Sequence, residues 1–163
     1  DAELSRSRFE PVDLGTLIEN LLPGWERRAA AGGVGIAFAR PRAGSAVIMG
    51  EGSRLARAID NIVDNAISFS PPKGLVEIQA TGVDGEVTVA VEDEGPGVPA
   101  ASREAIFNRF HSIRPEGEAF GRHSGLGLAI ARAIVEGHDG RIEAESRRDG
   151  RTGARFAMRF QGV

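Results

Sequence analysis

The change from a helical to a strand pattern in the middle of the chain constrains the fold most. Apolar residues at helical spacing predict a helix over residues 54–69, which Pro71 and Pro72 would end. Apolar side chains then alternate through residues 75–82 and 86–93, two segments joined by a turn at Asp84-Gly85. Alternation gives each strand one buried and one wet face, as in an antiparallel pair covered by helices on one side.

The flanking segments extend this pattern into one fold class. Asp13 and Ser53 are placed to cap the first and second helices, and Pro23-Gly24 bends or ends the first. The remaining patterns predict helices over residues 14–22, near 100–108 and over 125–137, and strands or short apolar runs over 34–39, 46–50, 141–146 and 154–160. We therefore expect an α/β two-layer sandwich: a mixed, largely antiparallel sheet with helices on one face.

Composition excludes several functions. The 163 residues are 41% hydrophobic and 26% charged, as in an ordinary soluble domain, and the formal net charge of −3 argues against nucleic-acid binding. With no cysteine, disulfides, thiolate chemistry and cysteine-ligated zinc are excluded. No apolar run approaches the ~20 residues of a membrane helix. Because the chain does not begin with Met, it is expected to be a piece of a longer protein, whose own membrane segments stay open.

Two asparagines interrupt the predicted second helix on one side. On a helical wheel, Asn61 and Asn65 share a polar stripe with Arg54, Arg57 and Ser68 beside the apolar face. Such a stripe lies where a helix borders a cleft. The asparagines are either exposed residues that hydrogen-bond a loop, or ligands through their amide oxygens for a hard cation such as Mg²⁺.

Three glycine-containing segments follow that helix. Asp93 ends a predicted strand just before Gly95 and Gly97, where it is either a turn cap or an acceptor for an exocyclic amine. Gly125 and Gly127 open the helix that follows a long polar stretch, and free N–H groups at a helix start suit a phosphate. The alternative there is an N-cap by Ser124. A third pair, Gly150 and Gly153, precedes the last strand and is read as a β-turn.

Taken in order, these stretches resemble the catalytic ATP-binding domain of bacterial two-component sensor histidine kinases. The family's N, G1, F and G2 boxes correspond to residues 61–65, 93–97, 106–110 and 125–128, and the resemblance spans about residues 9–161. It implies a Bergerat-type ATP fold with a mobile ATP lid over residues 108–124. It also divides the chain into residues 1–8, the end of an upstream dimerization helix or linker, and residues 9–163, the catalytic domain.

The resemblance also assigns residue roles. Asn61 and Asn65 would be catalytic, with Asn65 the Mg²⁺ ligand and Asn61 facing the phosphates or the metal. Asp93 would read the adenine amino group, and Phe107 and Phe110 would anchor the lid. The nucleotide-binding set as a whole would be Asp93, Gly95, Gly97, Val98, Phe107, Phe110, Ser124, Gly125, Leu126, Gly127, Leu128 and Gly153.

Two positions depart from the family pattern. The family often has Lys or Arg where Ser68 stands, and often has Thr where Ala154 stands. Other cations could contact the phosphates in place of the missing Lys or Arg at position 68. The candidates are Arg54, Arg57, Lys73 and Arg122. Asp139 also stands where a glycine is usual, which is read as a turn change.

The implied function is transfer of the ATP γ-phosphoryl to a histidine on a separate dimerization and phosphoacceptor domain, with a response regulator downstream. No phosphoacceptor box is present, and His111, His123 and His138 are read as loop or turn residues. The alternatives are a non-catalytic nucleotide-binding module, a gyrase-like or chaperone-like ATPase, and a serine kinase of the same fold. The ATPases carry glutamate where Asn61 stands, and asparagine cannot take a proton from water.

The resemblance further implies a setting for the domain. The fragment is expected to be monomeric and its parent homodimeric. The domain would be cytoplasmic and the parent an inner-membrane sensor.

Overall fold

The computed structural model describes residues 8–108 and 126–163, which form two layers around one core. The helices in this part of the chain are α1 (Leu14–Ala31), α2 (Gly52–Phe69) and α3 (Gly127–Gly137). The strands are β1 (Glu10–Asp13), β2 (Gly35–Ala39), β3 (Val47–Gly50), β4 (Leu75–Val83), β5 (Glu86–Glu92), β6 (Arg141–Ser146) and β7 (Ala154–Gln161).

The main sheet confirms the predicted fold class. Its strands lie in the order β2-β4-β5-β7-β6, with β2 and β4 parallel and every other neighbouring pair antiparallel. Val76, Ile78 and Ala80 of β4 are buried with the apolar faces of the helices, whereas Glu77 and Gln79 between them are exposed. The sheet is thus mixed and largely antiparallel, with the helices packed on one face.

The turn between β4 and β5 follows the prediction. Asp84 and Gly85 have φ values of 53° and 81°, and the adjoining residues Val83 and Glu86 pair with each other. Positive φ at both central residues is the signature of the tight hairpin turn whose twist matches that of the strands.

Helix α1 begins as predicted but runs further. Oδ1 of Asp13 accepts hydrogen bonds from the N–H groups of Gly15 at 2.9 Å and Thr16 at 3.3 Å. The helix continues through Pro23 to Ala31. Proline leaves the carbonyl four residues earlier without its helical donor, and that residue, Glu19, is exposed to water. Beyond the proline, burial of Trp25 stabilises the continued helix.

Three predicted boundaries are corrected. Helix α2 begins at Gly52 with Glu51 as its N-cap residue, so Ser53 lies in the first turn and is not the cap. Residues 100–108 do not form one helix but two separate 3₁₀ turns, Ala100–Ser102 and Ala105–Phe107. Helix α3 begins two residues later than expected, at Gly127.

One strand was not predicted. Strand β1 pairs antiparallel with β3 in a small second sheet. It is only four residues long and contains Pro11, which an edge strand tolerates but which conceals the pattern in sequence.

Residues 108–124 were predicted to form the lid, and of these the structure describes only Asn108. In the described ranges, no helix combines the length and apolar character that crossing a membrane requires.

Candidate active site

The first asparagine of α2 contacts the start of α3. Nδ2 of Asn61 donates a hydrogen bond to the main-chain carbonyl of Gly127, at 3.1 Å. Because a carbonyl only accepts, the amide nitrogen must face it. A Cβ built on Gly127 would lie 3.9 Å from Cβ and Cγ of Asn61, so the two helices approach closely there. Two segments that the sequence analysis assigned to one site are therefore adjacent.

The second asparagine lies one turn further along α2. Asn65 is half-buried, and within residues 8–108 and 126–163 its side-chain amide has no protein partner. Oγ of Ser68 donates to the main-chain carbonyl of Asn65 at 3.2 Å, so this hydroxyl bonds its own helix. Among the described residues, no donor reaches the amide oxygen of Asn65.

The N-terminus of α3 presents backbone donors beside Asn61. The N-cap position is Leu126, which makes no side-chain capping bond, and the first helical bond runs from Ile130 N to Leu126 O at 2.8 Å. The N–H groups of Gly127, Leu128 and Ala129 precede that bond and have no acceptor within the helix. Their alignment with the helix dipole suits an anion.

Asp93 is held at the opposite end of the site. Its side chain is 2% exposed, and Oδ1 accepts hydrogen bonds from Gly95 N at 2.9 Å and Ala154 N at 3.1 Å. Burial raises the pKa of this carboxyl, and the backbone bonds from Ala154 and Gly95 counteract part of that effect. No donor from the described residues reaches Oδ2.

Glycines around Asp93 permit close backbone packing. A Cβ on Gly95 would lie 2.7 Å from the Phe69 carbonyl, at the end of α2. Gly97 has a φ of 83°, and a Cβ there would lie 3.1 Å from the Gly153 carbonyl. Gly153 itself has a φ of 141°. The predicted glycines thus bring the end of β5, the end of α2 and the last turn together.

Glu94 fastens this region to the connection between α2 and β4, and sequence reasoning did not single it out. Its Oε1 accepts from Leu75 N at 2.8 Å, its Oε2 accepts from Arg151 Nη2 at 3.0 Å, and its N–H donates to Ser70 Oγ at 3.3 Å. The segment after Asp93 is therefore tied to three other parts of the chain.

Arg147 was also missed. Its side chain is 1% exposed, and its Nη1 donates to the main-chain carbonyl of Asp93 at 2.9 Å. Its Nη2 contacts Asp149 Oδ2 at 2.7 Å and Glu77 Oε1 at 3.2 Å. The hydrogen bond to Asp149 raises the pKa of this guanidinium and lowers that of the carboxyl. The one sequence signal was an Asp two residues after an Arg at the end of a strand.

The other predicted nucleotide contacts divide into two groups. Phe107 is buried edge-to-face on Phe156 at 6.1 Å, with the Arg132 guanidinium 5.6 Å from its ring centroid. Val98 and Leu128 are partly buried against the core. The predictions for Phe110, His111, Arg122, His123, Ser124 and Gly125 fall outside the described residues.

His138 lies in the turn after α3, as expected, and its side chain is buried there. Its Nδ1 is 2.8 Å from the Ile134 carbonyl, and its Nε2 accepts from Glu51 N at 3.1 Å. Phe9 stacks on the ring with centroids 4.7 Å apart. Since both ring nitrogens are engaged, His138 joins the start of α2 to the end of α3 and presents no free nucleophile.

The described residues contain no group of three or more His, Asp or Glu side chains positioned to hold a metal ion. Of the candidate phosphate-binding cations, Arg54 lies 3.4 Å from Glu51, whereas Arg57 and Lys73 are exposed.

Comparison with known proteins identifies a matching family and similar proteins. Residues 50–162 match the family model described as "Histidine kinase-, DNA gyrase B-, and HSP90-like ATPase". The sensor protein ChvG of Rhizobium meliloti (strain 1021) is 40% identical over 168 residues, covering 97% of this chain but 29% of ChvG. The chain thus spans less than a third of the length of that relative.

Two solved structures have the same fold. The mycobacterial sensor histidine kinase MprB is 29% identical with a TM-score of 0.76, covering 94% of this chain and 97% of that one. Full-length ShkA in complex with AMPPNP is 28% identical with a TM-score of 0.77, covering 95% of this chain and 32% of that one.

Proposed function

The chain belongs to the histidine kinase-, DNA gyrase B- and HSP90-like ATPase family, and it is similar to sensor histidine kinases. On that premise we propose that it binds ATP with Mg²⁺ and transfers the γ-phosphoryl group to a histidine on a separate phosphoacceptor domain. The observation that carries this proposal is the Asn61–Gly127 contact, which places two asparagines of α2 beside the open N-terminus of α3.

The adenine would bind at the Asp93 end. Oδ1 of Asp93 is occupied by two backbone N–H groups, which leaves Oδ2 to accept a hydrogen bond from the exocyclic amine. A fixed acceptor favours adenine over guanine, which carries a carbonyl at that position. Gly95 and Gly97 would support this end by letting the backbone of Phe69 and Gly153 pack closely against it.

The phosphates would bind at the α3 end. The N–H groups at the start of α3 and the positive helix terminus would neutralise part of their charge. The amide oxygen of Asn65, which has no partner among the described residues, fits Mg²⁺, which is commonly held by one or two protein oxygens together with substrate phosphates. When bound, this ion would offset charge on the phosphate oxygens.

The reaction needs positioning more than a strong base. A lone pair on the acceptor imidazole forms the bond to the γ-phosphorus, and the bond to the bridging oxygen of ADP breaks. The neutral imidazole already has that lone pair, so the domain need not remove a proton before attack. Asn61 cannot act as a general base toward water, so hydrolysis of the gyrase or chaperone kind is disfavoured.

A non-catalytic nucleotide-binding module is the second candidate. It is favoured by Ser68, whose hydroxyl bonds the Asn65 carbonyl at a position where the family often has a phosphate-binding cation. Its predicted behaviour is ATP binding with no phosphoprotein.

The proposal also covers the downstream partner and the parent protein. A response regulator would take the phosphoryl group from the phosphohistidine. The parent is proposed to be a dimeric membrane sensor with this domain in the cytoplasm, in keeping with the naming of ChvG as a sensor protein.

The test uses the whole cytoplasmic part of the parent protein with γ-labelled ATP and Mg²⁺. We expect an acid-labile phosphohistidine in the wild type and none in Asn65→Ala, whereas Asn20→Ala, an exposed asparagine of α1, should behave as wild type. Nucleotide binding without label would support the non-catalytic module. Phosphate release without phosphoprotein would contradict the kinase and support a hydrolase.

A further inference from the structure

We propose that Arg147 is a positioning residue for base recognition, which acts by holding the main chain of Asp93 so that Oδ2 faces the nucleotide. This inference rests on the proposed function of Asp93 as the acceptor for adenine. It concerns a residue that lies behind that carboxylate, on the β6–β7 connection.

The hydrogen bonds of Asp93 account for all but one of its polar atoms. Its N–H donates to Ala154 O at 3.0 Å, its main-chain carbonyl accepts from Arg147 Nη1, and its Oδ1 accepts from Gly95 N and Ala154 N. Oδ2 is the remaining atom, and it has no donor among the described residues. Arg147 supplies the only one of these bonds that comes from a side chain.

Arg147 is itself held on several sides. Nε and Nη2 bond the two carboxylate oxygens of Asp149 at 3.1 and 2.7 Å. Glu77 of β4 lies 3.2 Å from Nη2 and Glu92 of β5 lies 3.9 Å from it. A bidentate pair fixes the plane of a guanidinium, so the direction of Nη1 toward Asp93 is set by residues outside the site.

The aliphatic part of Arg147 contacts the second segment that holds Asp93. A Cβ on Gly153 would lie 2.9 Å from Cδ of Arg147, and Gly153 precedes Ala154, whose N–H bonds Asp93. Arg147 therefore touches both backbone segments that determine where the carboxylate points. Its charge also faces the buried Asp93 and favours the ionised, accepting form.

The expected consequence is a loss of base selectivity with little change in phosphate binding. In Arg147→Met, we expect the ratio of GTP to ATP dissociation constants to fall by about tenfold, since a buried hydrogen bond from a charged donor is lost. Arg147→Lys should recover only part of the ratio, because an ammonium cannot bond Asp149 and the Asp93 carbonyl in the same geometry.

The matched control is Arg159→Met. Arg159 lies on β7 and pairs with Glu143 and Glu145, so its removal also breaks two ion pairs on the same sheet face. It has no contact with Asp93, and the selectivity ratio should stay at the wild-type value. Should Arg147→Met fail to fold, Asp149→Asn loosens the guanidinium without removing it and should lower the ratio by a smaller factor.

A pH profile separates positioning from general destabilisation. The charged groups that act on Asp93 are Arg147 and Glu92, and Arg147 itself pairs with Glu77, Glu92 and Asp149. Without the Arg147 charge, Asp93 should gain its proton at higher pH, so ATP binding should weaken at a higher pH than in the wild type. A residue needed only for stability would lower affinity equally at every pH.

The outcomes are distinguishable. If wild-type protein binds ATP and GTP equally, the proposed role of Asp93 fails, and this inference fails with it. If wild-type protein prefers ATP while a folded Arg147→Met or Asp149→Asn variant keeps the wild-type ratio and pH profile, the proposed function stands and the role of Arg147 is overturned.

Discussion

The two ends of the candidate site are built in different ways. At the Asp93 end, backbone N–H groups bond one carboxylate oxygen. Side chains of Arg147 and Glu94 also bond the main chain of this region, at Asp93 and Leu75. At the α3 end, Asn61 is the described side chain that bonds the first residue of α3, and the N-cap residue Leu126 makes no side-chain capping bond. The described residues therefore fix the Asp93 end by more hydrogen bonds than the α3 end.

Under the proposed function, the chemistry of each end accounts for this difference. A base is recognised by one hydrogen bond whose direction must be fixed before binding, because a misdirected acceptor loses its discrimination. A triphosphate carries charge on many oxygens and is neutralised by several partial charges together with a cation, so no single protein group needs the same precision.

The largest expected effect lies at the α3 end. Asn65→Ala should lower the rate of phosphohistidine formation about a hundredfold or more. The reason is that the variant would lose the proposed ligand of the Mg²⁺ ion, which offsets charge on the phosphates in the transition state. Binding of ADP without Mg²⁺ should be unchanged, which titration calorimetry can measure. Equal loss of binding and rate would mean that Asn65 holds the nucleotide and not the metal.

The next effect probes the Asp93 end. Asp93→Asn would present an amide N–H₂ in place of one carboxylate oxygen, so the backbone bonds could persist while the adenine amine meets a donor. ATP affinity should fall by about ten- to a hundredfold, as expected for a lost hydrogen bond to a charged group. Affinity for GTP, measured in parallel, should fall less. An equal loss for both nucleotides would contradict base reading by Asp93.

Gly97 tests whether the Asp93 end is preformed. Gly97→Ala places a Cβ 3.1 Å from the Gly153 carbonyl at a φ of 83°, and should lower the free energy of unfolding by about 1–2 kcal/mol. The control is Gly44→Ala, with a φ of 75° and nothing within 4 Å of its Cβ. Thermal unfolding of the two variants separates torsional strain from the backbone contact, and equal shifts would argue against tight packing at Gly97.

The smallest effect is expected at the contact between the helices. Asn61→Ala removes one half-buried hydrogen bond and should lower the free energy of unfolding by about 1 kcal/mol. Asp93-dependent selectivity for ATP over GTP should be retained, because that end has its own supports. Loss of selectivity in this variant would show that the two ends are coupled.

Much of the fold was readable from local pattern. Alternating apolar residues located β4, β5 and β6, and the helical spacing in α2 located its buried face, because burial on one side leaves a period in the sequence. Strand β1 was missed since four residues with a proline show no period. Ser53 was a sound capping residue by type, but α2 begins at Gly52, before it.

The candidate site was predicted as a set of residues and not as an arrangement. Asn61, Asn65, Asp93 and the glycines carry recognisable residue types at family spacing, so the sequence was enough to single them out as candidates. Arg147 and Glu94 were not, because a charged residue beside a turn is ordinary in sequence and becomes informative only when its partners are known.

Local sequence pattern was enough for the fold class, the two asparagines on one face of α2 and the glycines that permit close turns, since these depend on neighbours along the chain. Three other features depend on how distant segments pack: the bond from Asn61 to Gly127, the backbone bonds to Oδ1 of Asp93, and the buried Arg147 behind that residue. The reason is physical. Hydrogen-bond direction and burial depend on groups 50 or more residues away in the chain, and local pattern carries no record of them.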